Sequence, residues 1–292
     1  MVKTNPVILG LSIDALTMRE ATKLITAHAS GKQPARYVVK PYVEFFDRAY
    51  HDNQVKELLM GAWLRLPEGV SAQWAAAYLA GKPSLIRAVG LAIGIIVNPR
   101  IIRKPLTEKF GGTVFTWQLL ESCVKQRLKV YLIGSPRGGD IKTTAQAIQN
   151  RLPKLEIAGT WPGQWGGMAG ESLRKRLQTA PLEAKLLADL QERKPDIILV
   201  GMGFPLQEEL IAKLTPQLSH GVLIGEGGTF DYDSFGGARA KAPRWMQRIG
   251  LEWLWRLLLE PARWRRQLAV PRFMGMVYRD SRKKTKTTSS QD

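Results

Sequence analysis

Three short runs of aliphatic residues, each closed by glycine, restrict this chain more than any other feature. "KVYLIG" (129–134) leads through "SPRGGD" into the amphipathic "IKTTAQAIQNRL", and "DIILVG" (196–201) leads through "MGFP" into "LQEELIAKL". "GVLIGEGG" (221–228) closes the series before "TFDYDSFGG". Runs apolar at every position suit strands covered on both faces, and a helix after a strand is the crossover that a parallel sheet needs. "ARYVVK" (35–40) adds a strand, and "LRLPEGVSAQWAAAYLAG" (64–81) reads as a short strand, a turn and a helix. The expected architecture is α/β, a parallel sheet flanked by helices, without internal repeats. Glycine at such turns also lets a phosphate approach the unpaired N–H groups of a helix N-terminus. No turn completes a dinucleotide fingerprint or a P-loop, so for any single glycine sheet-edge geometry is the stronger reading. Their recurrence at Gly134, Gly201 and Gly227 points to a nucleotide-type ligand at the carboxyl ends of the strands.

The 292 residues, 45% hydrophobic, suffice for a large α/β domain with an appendage. The formal charge of +18 is unevenly placed, with fourteen Lys/Arg in residues 235–286 against Glu252, Glu260 and Asp280. Within that region "RWMQRIGLEWLWRLLLEPARWRR" (244–266) interleaves arginines with four tryptophans. Its partner is expected to be anionic: phosphate groups, nucleic acid or a membrane face. No nucleic-acid motif accompanies it and its tryptophans are bracketed by leucines, so nucleic acid is not the expected partner. The single Cys123 excludes an intramolecular disulfide and cysteine-cluster metal sites, and His28, His51 and His220 lack zinc-type spacing. The opening "MVKTNPVILGLSID" lacks the pattern of a signal peptide, which leads to the expectation of a cytoplasmic chain. "AVGLAIGIIV" (88–97) would make a helix about 15 Å long against a bilayer core of about 30 Å. It cannot span alone, and a buried core helix and a membrane-dipping one both stay open.

Eight segments in order carry a resemblance: "ILGLSIDALT" (8–17), "VVKPYVEFF" (38–46), "LPEGVS" (66–71), "KVYLIGS" (129–135), "DIILVGMGFPLQE" (196–208), "GEGGTFDY" (225–232), "KAPRWMQRIGLEWLWRL" (241–257) and "EPARWRR" (260–266). Together they resemble the bacterial WecG/TagA/CpsF glycosyltransferase family over nearly the whole chain, apart from roughly 83–107. The resemblance implies a Rossmann-like core over 1–240 and a basic, tryptophan-rich helical appendage over 241–280 that approaches the membrane and completes the active site; the basic tail over 281–292, without an apolar residue, is read from composition as lacking order. It implies transfer of N-acetylmannosamine or a related hexose from a UDP-sugar to a polyprenyl-diphosphate-linked sugar, at the anionic inner face of the cytoplasmic membrane. It further implies inversion in one displacement, with no cofactor and no metal. "DYD" (231–233), the one candidate metal pair, reads instead as part of "GGTFD". Homo-oligomerisation is left open.

Residue by residue, the resemblance makes Glu68 of "PEG" the general base, where the family commonly has aspartate. It makes Gln207 a sugar-orienting amide and Arg256, Arg263 and Arg266 the stabilisers of the leaving UDP. Pro261 is expected to break the helix between the first of these arginines and the other two. Lys40 and Tyr42 stand in "KPY" where the family has the threonine and asparagine of "TPN", and are carried as substrate-binding positions. "EKFGGTV" (108–114) keeps Glu108 and Gly112 but has Val114 for an aspartate, and Lys241 replaces an arginine. Gly112 thereby joins the three turn glycines as an expected nucleotide contact. These departures bear on donor, acceptor and competence, so a non-catalytic scaffold binding a nucleotide sugar or lipid diphosphate is the alternative. Residues 83–107 look like an insertion, and their apolar centre between basic residues suits the membrane interface.

Overall fold

The computed structural model of the protein describes residues 4–134, 136–137, 139–163, 180–243, 246, 252–259 and 269–288. A two-residue hairpin opens it, β1 (Val7–Ile8) and β2 (Leu11–Ser12), turned by Leu9 and Gly10, both at positive φ as a tight primed turn demands. Helix α1 (Met18–Ser30) starts on a capping box between Thr17 and Glu20. Then come β3 (Arg36–Val39), α2 (Val43–His51), α3 (Asn53–Met60), β4 (Leu64–Arg65), α4 (Val70–Leu79), α5 (Leu85–Val97) and a 3-10 turn (Pro99–Ile102). The second half runs α6 (Gly112–Gln126), β5 (Val130–Gly134), α7 (Ile141–Arg151), β6 (Ile157–Trp161), α8 (Ala180–Arg193), β7 (Ile197–Gly201), α9 (Leu206–Leu214) and β8 (Val222–Gly225). Two helices follow, α10 (Glu252–Leu259) and α11 (Ala269–Thr288).

Six strands form one parallel sheet in the order β4-β3-β8-β7-β5-β6. Strands β5, β7 and β8 are buried at every residue, which is why their sequences do not alternate. The edge strand β6 is only half-buried along its length. From β5 the chain moves outward to β6, and from β7 it moves the other way to β8. The two neighbours therefore send their connections to opposite sides, the topology at whose strand carboxyl ends ligands usually bind in such sheets. The register is tight there: Gly134 lies opposite Gly201, and Val200 opposite Gly225. Cys123 sits in the core of α6, and burial pushes its thiol up to about 12, leaving it inert near neutral pH.

The C-terminal helix is placed by its packing. Helix α11 belongs to the body, because Phe273 is fully buried against Phe46 (ring centroids 5.3 Å) and Trp74 (6.5 Å), with Met276 and Val277 beside it. Burying a side chain such as Phe273 contributes about 1.5–3 kcal/mol, which holds this face against α2 and α4. The helix also continues through Thr288, into the stretch read from composition as a tail without order. Ser281, in that stretch, is buried and lies 3.4 Å from the Tyr78 hydroxyl.

Candidate active site

The carboxyl ends of β3 and β8 lie side by side, so the residue after each strand meets the other. Lys40 Nζ stands 2.7 Å from Glu226 Oε2, both side chains being 2% exposed or less. Thr116, one turn into α6, reaches the same oxygen at 2.7 Å and the Gly112 carbonyl at 2.5 Å. The backbone N–H of Glu226 donates to Val200 O at 2.7 Å, which extends the ladder by one rung and fixes the carboxylate. Its second oxygen, Oε1, is buried without a hydrogen-bond partner among the described residues. A buried pair of this kind is held by near-complete mutual compensation, and either partner left alone would be an uncompensated charge. Lys40 is therefore neither solvated nor an open cation for a diphosphate.

Gln207, in the first turn of α9, is equally occupied. Its Oε1 accepts from the N–H of Gly227 at 2.8 Å and of Gly203 at 3.2 Å, and its Nε2 donates to Glu208 Oε1 at 2.7 Å. The amide thus ties the turn after β7 to the turn after β8 and leaves one N–H for other uses. Glu208 itself is fully buried, with Oε2 unpartnered among the described residues. Burial lifts its carboxyl to about 7; the Gln207 bond opposes this, the charge of Glu68 adds to it and that of Lys40 subtracts. A place at a helix N-terminus favours the anion by about 0.3–1 kcal/mol at most exposed sites, too little to offset such burial.

Glu68 reaches this edge through the "PEG" turn, where its N–H donates to Pro41 O at 3.0 Å, placing it beside Lys40. It is half-buried, and the next residue, Gly69, at φ +81°, opens α4. Tyr42 packs its ring edge-on against Phe45 (4.9 Å) and donates its hydroxyl to Glu44 Oε2 at 2.8 Å. Phe45 in turn stacks on Phe204 at 4.0 Å. Of the glycines singled out in the sequence, three are crowded by the protein itself. A Cβ on Gly134 would stand 2.3 Å from Gly201 O, one on Gly201 2.4 Å from the Phe230 ring, and one on Gly112 2.3 Å from Thr229 Oγ1. The fourth, Gly227, opens on free space, as do Gly69, Gly111 and Gly203, which the sequence did not single out. These last three sit at or just before the starts of α4, α6 and α9, and Gly69 adjoins Glu68. Room of this kind at helix starts lets a phosphate or sugar approach the backbone.

Behind this rim Asp231 locks two loops together. It accepts from the Arg137 N–H at 2.9 Å, after β5, and from Arg239 Nη1 at 3.1 Å. The first carboxylate of "DYD" is thus engaged by protein donors, while Asp233 accepts from the Ser234 N–H at 2.6 Å. Glu108 accepts the Met18 N–H at 2.7 Å at the start of α1, and Val114 is exposed on α6. Arg256 lies on the backbone of α10, whereas Arg263 and Arg266 fall outside the described residues. On α10 Leu254 and Leu257 are half-buried and Leu258 is exposed. The residues that the sequence did not single out are Glu208, Glu226 and Thr116; Asp231 stood out only as half of a candidate metal pair. Glu226 had a signal: an acid placed directly after a fully apolar strand, at the end where ligands bind.

The chain matches the model of the glycosyl transferase WecG/TagA/CpsF family in two pieces, residues 6–94 and 84–287, which overlap at 84–94. Among its relatives is the N-acetylglucosaminyldiphosphoundecaprenol N-acetyl-beta-D-mannosaminyltransferase of Bacillus subtilis, 31% identical over 192 residues, or 66% of this chain and 68% of the relative. Proteins of the same name from Bacillus spizizenii (30% over 194 residues; 66% and 68%) and Staphylococcus aureus (29% over 195 residues; 65% and 68%) are similar. The sheet topology, the Glu68 and Gln207 turns at its carboxyl edge and matches that together span nearly the whole sequence agree: this chain belongs to the WecG/TagA/CpsF family of glycosyl transferases.

Proposed function

We propose that this glycosyltransferase moves N-acetylmannosamine or a related hexose from a UDP-sugar to a polyprenyl-diphosphate-linked sugar, on the inner face of the cytoplasmic membrane. The relatives' names supply the sugar and the acceptor class. The observation that carries the reading is the position of Glu68, a half-buried carboxylate at the carboxyl edge of the sheet, on a turn whose next residue, Gly69, opens on free space. In one displacement the acceptor hydroxyl gives its proton to the Glu68 carboxylate while its oxygen bonds the anomeric carbon from the face opposite UDP. The bond from that carbon to the diphosphate oxygen breaks, and UDP leaves with the electron pair. The anomeric centre inverts. Arg256, Arg263 and Arg266 stabilise the charge on UDP in place of a divalent cation. Gln207 offers its remaining amide N–H to the sugar, and Tyr42 lines the acceptor side.

The Lys40–Glu226 pair gives this site a character of its own. Where the family has a threonine hydroxyl, this chain has a compensated charge pair that presents no net charge to the sugar. UDP release is to be measured with UDP-linked N-acetylmannosamine, N-acetylglucosamine, glucose and their uronic forms, with and without a polyprenyl-diphosphate sugar acceptor. Acceptor-dependent release with a neutral sugar, unchanged by EDTA and lost in Glu68→Gln, is the expected outcome. Full release in Glu68→Gln would remove Glu68 as base, and loss in EDTA would remove the arginine-only account. UDP binding without turnover on any donor would leave a binding scaffold.

A further inference from the structure

Helix α5 carries an apolar face that the fold does not use. Its inner side is committed, with Ala88 buried, Leu91 and Ile95 packed on the core, and Trp74 Nε1 donating to Ala88 O at 3.3 Å. On the other side Leu85, Ile86, Val89, Ile93 and Val97 are exposed, Ile86 at 87% and Val97 at 78%. At 100° per residue these five fall within an arc of about 120°, one continuous stripe. Ile101, exposed on the following 3-10 turn, continues it. The helix's one charged residue is turned to the protein: Arg87 Nη2 donates to Ala77 O at 2.8 Å, closing the end of α4.

The charges around the stripe indicate what covers it. From Gly69 to Thr107 the sequence holds no Asp or Glu, but holds Lys82, Arg87, Arg100, Arg103 and Lys104. Lys82, Arg100, Arg103 and Lys104 are exposed, at the two ends of the stripe. An apolar face bounded by cations and free of acids matches an anionic lipid surface, in which the side chains enter the acyl boundary and the cations meet headgroup phosphates. No helix among the described residues is long and apolar enough to cross a membrane. A helix of 13 residues is about 20 Å long and would lie flat. The segment is also anchored at the active site: Gln73 Nε2 donates to Leu106 O at 3.0 Å, and the Phe110 N–H donates to Pro67 O at 2.8 Å, next to Glu68.

We infer that the exposed face of α5 and the 3-10 turn after it form a docking surface for an anionic bilayer, which seats the rim of the site beside Glu68 against the membrane. This surface is distinct in sequence from the basic segment at 244–266. It goes beyond the transferase reading, and its test does not use sugar transfer.

Flotation with phosphatidylglycerol-containing vesicles and with pure phosphatidylcholine vesicles tests it on the full chain. The wild type is expected to bind the anionic vesicles, and Ile86→Ser/Ile93→Ser/Val97→Ser to partition about tenfold less, as the lost apolar contact requires. A second variant, Arg100→Gln/Arg103→Gln/Lys104→Gln, touches no apolar contact and is expected to lose binding selectively on anionic vesicles at low salt. Thermal melting of both should match the wild type, since every substituted side chain is exposed. Wild-type-like binding by the serine variant, or no vesicle binding by the wild type, overturns the inference. So does light scattering that shows a wild-type dimer made monomeric by the serine changes while vesicle binding stays, since a second copy would then cover the face. A protein that binds through α5 yet releases no UDP leaves this inference standing and removes the transferase reading instead.

Discussion

Replacing Glu208 by glutamine should abolish a loss of stability that this protein suffers as pH rises. The carboxyl is fully buried and lifted from 4.5 to about 7, mainly by burial. The sign follows from which state holds the proton. Below about pH 4.5 the group is protonated in both the folded and the unfolded chain, and its contribution is intact. As pH rises, the unfolded chain releases its proton first, so stability is lost until the folded-state value near 7 is passed, and is level thereafter. Each tenfold change in proton affinity is worth about 1.4 kcal/mol, so the loss amounts to about 3 kcal/mol by pH 8. In Glu208→Gln the new amide keeps the shape and still accepts from Gln207 Nε2, with no charge to bury. Urea unfolding of both proteins at pH 5, 6, 7 and 8 should show the variant gaining on the wild type by about 2–3 kcal/mol across that range, other groups cancelling in the difference. A difference that stays constant with pH would refute the reasoning. It would mean that the carboxyl is ionised in the fold with a partner or water at Oε2.

Two further outcomes concern the charges behind the site. Lys40→Met should cost about 3–5 kcal/mol and Glu226→Gln a similar amount, whereas the double variant should cost much less than their sum; additive effects in denaturant unfolding would show that the pair is not buried together. Asp231→Asn removes the charge that holds Arg239 and weakens the bond from the Arg137 N–H, and should lower stability by about 1.5–3 kcal/mol and weaken UDP binding measured by calorimetry. Unchanged UDP affinity at lowered stability would confine the lock to the scaffold.

The strands were legible because their cause is local. A parallel strand covered on both faces must be apolar at every residue, and Val130–Gly134, Ile197–Gly201 and Val222–Gly225 declare themselves without reference to the rest of the chain. The same holds for the helices after them and for the acid-free, apolar stretch at 85–97, whose composition already marked it as unusual. Glu68 and the C-terminal arginines were found through matched motifs, which report position in a sequence and not surroundings.

What Lys40 does could not be read in this way. Its chemistry is decided by Glu226, 186 positions away in the chain, and the two meet because β3 and β8 are neighbours in the sheet although β4, β5, β6 and β7 come between them in sequence. The crowding of Gly134 likewise comes from the register between β5 and β7, that of Gly201 from the Phe230 ring beyond β8, and the openness of Gly69, Gly111 and Gly203 from how the chain enters the helices that follow them. Composition described the last residues of the chain by their polarity, whereas what holds the helix that leads to them is the burial of Phe273, Met276 and Val277 in the core. Strand, helix and the accumulation of charge could be read from the bare chain, since each depends on residues near one another. The pairing of side chains, the room above each glycine and the helix face left for a partner belong to the packed molecule, since burial and neighbourhood arise when distant segments meet.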